Sequence, residues 1–89
     1  MAGVAEFSRS EVVARVFGIL RDEILTVDGG FTPESNLVDA GLESLGLTQA
    51  MLAIEEQTGI WVDESLLTPE HLETSETLGS LVWSQLAAA

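Results

Sequence analysis

The chain contains no cysteine and no lysine, and its only permanent cations are Arg9, Arg15 and Arg21. Without sulfur nucleophiles there is no disulfide frame, no thiolate catalysis and no cysteine zinc site, which accords with a reducing compartment. Any thiol chemistry must therefore arrive on an attached group. Against the three arginines stand fifteen acidic residues, for a formal net charge of -12. Such a surface repels nucleic acid and anionic membranes, and it steers toward itself partners that carry basic patches. The same acidity serves solubility. No stretch has the length of a membrane span, and Met1 to Phe7 lacks the basic residues and apolar run of a signal peptide, so a cytoplasmic protein is expected. The 89 residues read as one free-standing domain, 1–89, with flexible ends at 1–7 and 87–89. A domain of that size buries too little surface for a deep substrate cleft, and catalysis by this chain alone is not expected.

Several site classes are also missing. There is no glycine-rich phosphate loop and no alternating strand pattern. A calcium loop starting at Asp28 would put Gly30 and Thr32 at ligand positions and Pro33 where the invariant glycine belongs, so no metal site is expected there. His71 is the only histidine, and it follows Pro69-Glu70 in what reads as a short exposed turn, which gives it no metal or catalytic role.

The apolar residues that are present recur at helical spacing. Ser8-x-x-Glu11 has the form of a capping box and predicts the start of a first helix, whose stripe runs from Val13 through Val16, Phe17, Leu20 and Ile24. A long connection follows from Thr26 to Glu43. It carries the turn Asp28-Gly29-Gly30 and a cap-then-proline signal at Thr32-Pro33-Glu34 that predicts a single helical turn. Phe31, Leu37 and Leu42 are the expected anchors of this loop. A second helix, from Ser44 to Thr58, would be about 22 Å long. Leu47, Ala50, Ile54 and Thr58 fall on its inward face, while Leu45, Thr48, Met51 and Leu52 fall on another. That second set is more apolar surface than one buried stripe needs, and it reads either as a helix buried on two sides or as an exposed strip that docks partner proteins. Gly59 should end the helix, and Ile60-Trp61-Val62 should form an extended link with Ile60 and Val62 on one side. Thr68-Pro69-Glu70 repeats the proline signal and predicts a short third helix fastened by Leu72. A fourth opens near Thr74 to Thr77, with Leu78, Leu81, Val82, Gln85 and Leu86 inward and Trp83 at the rim. The fold class is all-α: a small four-helix bundle of three longer helices and one short one, with a long loop between the first two.

The stretch Asp39-Ala40-Gly41-Leu42-Glu43-Ser44-Leu45 is the one place where chemistry looks possible, because it brings a hydroxyl to the mouth of a helix beside a carboxylate. Taken alone, Ser44 reads as an ordinary N-cap. The whole pattern says more. From about Ser10 to Leu86 the chain resembles the acyl and peptidyl carrier proteins. The resemblance is carried by Gly41-Leu42-Glu43-Ser44-Leu45, by Ile54-Glu55-Glu56, by Ile60-x-Val62-Asp63-Glu64 and by Thr77-Leu78. Aspartate usually precedes the family's serine; Glu43 keeps the carboxylate with a longer reach. The second helix also lacks the acidic run that follows the serine in many fatty-acid carriers, having only Glu55 and Glu56 at its far end, so it looks more like helices of aminoacyl, peptidyl or specialised polyketide carriers.

The resemblance implies a function. A separate phosphopantetheinyl transferase, using coenzyme A and magnesium, would attach 4'-phosphopantetheine to Ser44, with Glu43 helping the transferase hold its metal. An adenylating or acyl-loading enzyme would then place an acyl or aminoacyl group on the arm as a thioester, and tailoring or condensing enzymes would receive it, in nonribosomal peptide or other specialised-metabolite (antibiotic) biosynthesis. The phosphodiester would sit at the positive end of the second helix, worth roughly 0.3–1 kcal/mol. Leu45, Thr48, Met51 and Leu52 are the expected partner surface, and the carrier is expected to be a non-catalytic monomer. Two other classes compete with this reading. One is an unmodified acidic helical module that only binds proteins. The other, a small hydrolase built on Ser44 and His71, lacks an orienting partner and an oxyanion loop.

Overall fold

The computed structural model describes residues 8–88, apart from the side chains of Glu64 and of residues 86–88. The ends expected to be flexible, and the inward placement expected for Leu86, lie outside the described residues. Three α-helices make up the fold: α1 (Arg9–Ile19), α2 (Ser44–Thr58) and α3 (Ser75–Ala88). No strand occurs among the described residues.

Helix α1 starts where the capping box predicts. The Glu11 N–H donates to Ser8 Oγ at 3.2 Å, and the Ser8 N–H donates to Glu11 Oε1 at 2.8 Å, so two donors of the first turn are satisfied reciprocally. Its buried face is Val12, Val13, Val16, Ile19 and Leu20, with Phe17 and Ile24 only partly covered. The stripe is thus rotated from the expected one, because Val12 and Ile19 take the innermost positions. After Ile19 the helix widens through Leu20–Ile24, and the Leu25 N–H reaches back five residues to Leu20 O at 2.8 Å.

The loop from Leu25 to Glu43 is fastened at both sides. Phe31 stacks on Phe17 of α1 with ring centroids 5.2 Å apart, and the Arg21 guanidinium lies over the Phe17 ring. Leu37 is fully buried, and its N–H donates to Glu73 O at 2.9 Å, beside the single bridge between Asn36 and Thr74 and the Glu76 N–H bond to Pro33 O. Thr32-Pro33-Glu34-Ser35 closes the single turn expected there: the Ser35 N–H donates to Thr32 O at 2.9 Å and Ser35 Oγ accepts the Thr32 N–H at 2.9 Å. A second turn follows at once: Asn36 Oδ1 caps the Asp39 N–H, the Ala40 N–H returns to Asn36 O, and Gly41 closes the turn at φ +105°.

Helix α2 has the predicted bounds and ends in left-handed Gly59 at φ 76°. Ile60 and Val62 then turn inward and Trp61 outward. The expected third helix at Thr68 does not form. Asp63 Oδ1 takes the Ser65 N–H and starts a single 3-10 turn over Glu64–Leu66. Thr68 to Leu72 makes only one further turn, closed on Thr68 O by the N–H groups of His71 and Leu72, before the chain pairs with the first loop at Glu73 and Thr74. The fold is the small all-α bundle expected; among the described residues it holds three α-helices, with single turns at Glu64–Leu66 and Thr68–Leu72 where the short helix was expected. Helix α3 begins with reciprocal bonds between Thr74 and Thr77. It then packs on α1 so closely that only Gly79 fits opposite Val13.

A candidate attachment site at the entrance of the second helix

Glu43 occupies the N-cap position of α2 in extended conformation, and its side chain makes no capping bond. Ser44 is the first residue of the helix, so the expectation that it acts as the N-cap is corrected: the extended backbone at Glu43 shifts the cap one residue back. Its side chain is exposed, and the hydroxyl has no hydrogen-bond partner among the described residues. The first backbone bond of the helix runs from Leu47 N–H to Glu43 O at 2.8 Å. The amides of Ser44, Leu45 and Gly46 are therefore left without acceptors, the usual state of a helix start that no side chain caps.

Two clefts flank Ser44. One, of about 260 Å³, is lined by Ser44, Leu47, Thr48, Met51 and Leu67. The other, of about 220 Å³, lies between the end of α1 and the first turn of α2 and includes Ile24, Glu43, Leu45 and Gly46. A Cβ on Gly46 would stand 3.2 Å from Ile24 Cγ2, so the glycine lets the two helix ends approach. Sequence reasoning missed this role of Gly46, the Asn36 cap and the place of Leu67. The first two depend on tertiary contacts or on a side chain competing for backbone bonds, and neither leaves a periodic trace.

The expected partner strip is only partly exposed. Leu45 is 69% exposed, Leu52 is 51% exposed and Thr48 is open to solvent, with its hydroxyl donating to Ser44 O at 3.1 Å. Met51 is 5% exposed and belongs to the core, where it forms the floor of the first cleft; it is corrected from surface to interior. From Ser44 to Ile54 the helix carries no charge, while Glu43 precedes it and Glu55 and Glu56 follow. All acids but Glu6 and Glu11 lie between Asp22 and Glu76, a span that contains no arginine.

His71 does not join Ser44. Its Nδ1 lies 2.8 Å from Leu66 O, which can only accept, so this nitrogen is the donor and the ring serves to hold the turn before α3. No group of acids and histidine able to hold a metal occurs among the described residues, and none of their helices is long and apolar enough to cross a membrane.

Among the described residues, the chemistry of this small helical domain reduces to an accessible hydroxyl at a helix entrance. The chain belongs to the phosphopantetheine-binding carrier proteins: residues 10–82 match the family described as "Phosphopantetheine attachment site". It is 36% identical to aminoacyl carrier protein 1 of Bradyrhizobium diazoefficiens, over 91% of this chain and 88% of that one. It is 40% identical to the acyl carrier protein MbtL of Mycolicibacterium paratuberculosis, over 81% of this chain and 76% of that one. Among solved structures it matches a chain, at 34% identity and TM-score 0.60, in the Bradyrhizobium japonicum glycine:[carrier protein] ligase complexed with glycylated carrier protein; the match covers 82% of this chain and 96% of that one. A second complex of that ligase, with its cognate carrier protein and an analogue of glycyl adenylate, matches at TM-score 0.62 and 34% identity, covering 85% and 96%. The protein is thus an acyl or aminoacyl carrier, and its cofactor is covalent 4'-phosphopantetheine.

The residues at the start of α2 fit such a group. The hydroxyl is exposed and unbonded, three amide donors beside it are open, and the Gly46 position carries no side chain that could cover them.

Proposed function

We propose that Ser44 is the attachment point and that the chain, with no catalytic groups of its own, presents an acyl or aminoacyl group to separate enzymes in specialised-metabolite biosynthesis in the cytoplasm. The observation that carries this reading is the exposed Ser44 hydroxyl, free of hydrogen bonds, in the first turn of α2 inside the matched region. In the modification Ser44 Oγ forms a bond to the phosphorus of coenzyme A nearest the pantetheine. The bridging P–O bond breaks, the nucleotide part leaves, and the hydroxyl proton passes to a base of the transferase. Bound there, the group supplies the terminal thiol on which the acid is held as a thioester.

What the chain itself contributes is placement. The open amides of the first turn and the helix dipole favour negative charge next to Ser44. Glu43, exposed beside the serine, would help the transferase hold its magnesium, which would supply positive charge to the phosphates of coenzyme A. Leu45, Thr48 and Leu52 offer an uncharged docking strip beside the attachment point, and Met51 shapes it from below. Tethering raises the effective concentration of the cargo at each partner, so partner contacts can be brief. An amino acid as cargo is supported by the relatives that are aminoacyl carriers and by the glycine ligase complexes. At a net charge of -12, copies repel one another, consistent with a monomer.

The test is intact-mass measurement after incubation with coenzyme A and a promiscuous phosphopantetheinyl transferase. One phosphopantetheine addition to the wild-type chain and none to Ser44→Ala is the expected result. An addition that persists in Ser44→Ala would move the attachment point elsewhere.

A further inference from the structure

Helix α2 has a defect that its sequence makes specific. A good N-cap side chain accepts the amide of the second or third helical residue, and the residues that do this are short: Ser, Thr, Asp and Asn. Glu43 holds that position and makes no capping bond, and Ser44, one place further on, makes none either. The Leu45 and Gly46 amides consequently have no protein acceptor among the described residues. Helix α1 and the start of α3 are treated differently. Ser8 with Glu11, and Thr74 with Thr77, close both of those ends with reciprocal side-chain bonds. Among the helix starts of the described residues, the one that bears Ser44 is left open, in a chain whose family attaches a phosphate-containing group.

We infer that the attached phosphate is the missing cap: modification of Ser44 satisfies the Leu45 and Gly46 amides that Glu43 leaves open, so the modified protein has a better ordered second helix than the unmodified one. The inference rests on Ser44 as the attachment point. A negatively charged phosphate oxygen on the first residue of a helix can form charge-assisted bonds to neighbouring amides, and it also benefits from the macrodipole. Like-charge repulsion from the exposed Glu43 carboxylate opposes this without removing it, because that carboxylate has water on its outer side. The first turn of α2 contains Leu45, and Thr48 follows on the next turn, so the ordered turn is also one that partner enzymes meet. Partners that bind it would thereby favour the modified form over the unmodified one.

The experiment compares unmodified and modified protein by amide hydrogen exchange and thermal unfolding, for the wild type and Glu43→Asp, which keeps a carboxylate beside the serine, with intact mass to establish modification in each sample. In the wild type, modification is expected to slow exchange at Leu45 and Gly46 by roughly two- to five-fold and to raise the Tm, an effect that shrinks in salt. In Glu43→Asp the shorter carboxylate caps the unmodified helix, so the gain on modification should be largely lost. Modified wild type that shows no protection at Leu45 and Gly46 would overturn the inference while leaving the attachment point intact, and so would equal gains in wild type and Glu43→Asp. Absence of any addition at Ser44 would overturn both.

Discussion

Gly79 of α3 lies so close to Val13 of α1 that a Cβ placed on it would fall 2.7 Å from the Val13 Cα and 2.8 Å from its Cγ2. The nearest obstacle is backbone, so a side chain there cannot be relieved by a rotamer change, and the two helices would have to separate. Gly79→Ala is expected to destabilise the fold by about 1–3 kcal/mol despite the better helix propensity of alanine. Gly18, in the last turn of α1 before the helix continues through Leu20–Ile24, has nothing within 4 Å of the same construction. Gly18→Ala should therefore stabilise by about 0.5–1 kcal/mol. Chemical denaturation of the two variants measures both signs.

Ser44 makes no side-chain hydrogen bond, and its side chain is exposed. Ser44→Ala should leave unfolding free energy within about 0.5 kcal/mol of the wild type while removing the attachment. A large stability loss would mean that the hydroxyl has a structural partner in solution.

The uncharged strip of α2 divides into surface and core, and substitutions should divide in the same way. Leu45→Ala and Leu52→Ala are expected to change stability little and to raise the KM of the loading enzyme for the carrier roughly five-fold or more, the effect of about 1 kcal/mol of lost contact. Met51→Ala should instead cost about 2–5 kcal/mol of stability, because its side chain is 5% exposed and sits in the core. Steady-state loading kinetics together with thermal melts separate the two kinds of effect.

Acid should weaken the start of α1. The Glu11 carboxyl is held below the usual glutamate range, first by the Ser8 N–H, then by the Ser8 hydroxyl, with Arg15 adding attraction, and burial opposes slightly. The folded protein therefore binds this proton less readily than the unfolded chain does. The resulting stabilisation is fully present above the ordinary glutamate value of about 4.3 and is lost as pH falls through the lower folded value. Asp63, lowered by the Ser65 N–H and then its hydroxyl, changes in the same direction. The destabilisation caused by Glu11→Ala, measured from pH 6 to pH 3 by denaturant unfolding, is expected to shrink toward the acid end.

Features that rest on local rules were legible in the sequence. The Ser8–Glu11 box, the bounds of α2, its Gly59 terminus, the alternation at Ile60-Trp61-Val62 and the anchors Phe31 and Leu37 all stand where local capping, turn and periodicity arguments put them. The two proline signals were informative to different degrees. At Thr32 the pattern gives the single turn expected; at Thr68 it gives one turn, closed on Thr68 O by the His71 and Leu72 N–H groups, instead of a short helix, because the chain pairs with the first loop at Glu73 and Thr74 directly afterwards. The rotation of the α1 stripe toward Val12 was hidden for a related reason. Val12 and Val13 are alike as residues, and only tertiary packing decides which is innermost. At the entrance of α2 the motif points to the serine, but whether Glu43 or Ser44 caps the helix depends on backbone angles that both residues tolerate.

The loop ahead of Ser44 is clamped to α1 through Phe31 on Phe17, to the residues just before α3 through Leu37 and Asn36, and to the first turn of α3 through Pro33. With Ser44 as the proposed attachment point, such a mooring would make the serine a fixed pivot. Whatever reach the cargo needs must come from the arm, and enzymes that visit in turn will find the point of departure in the same place each time.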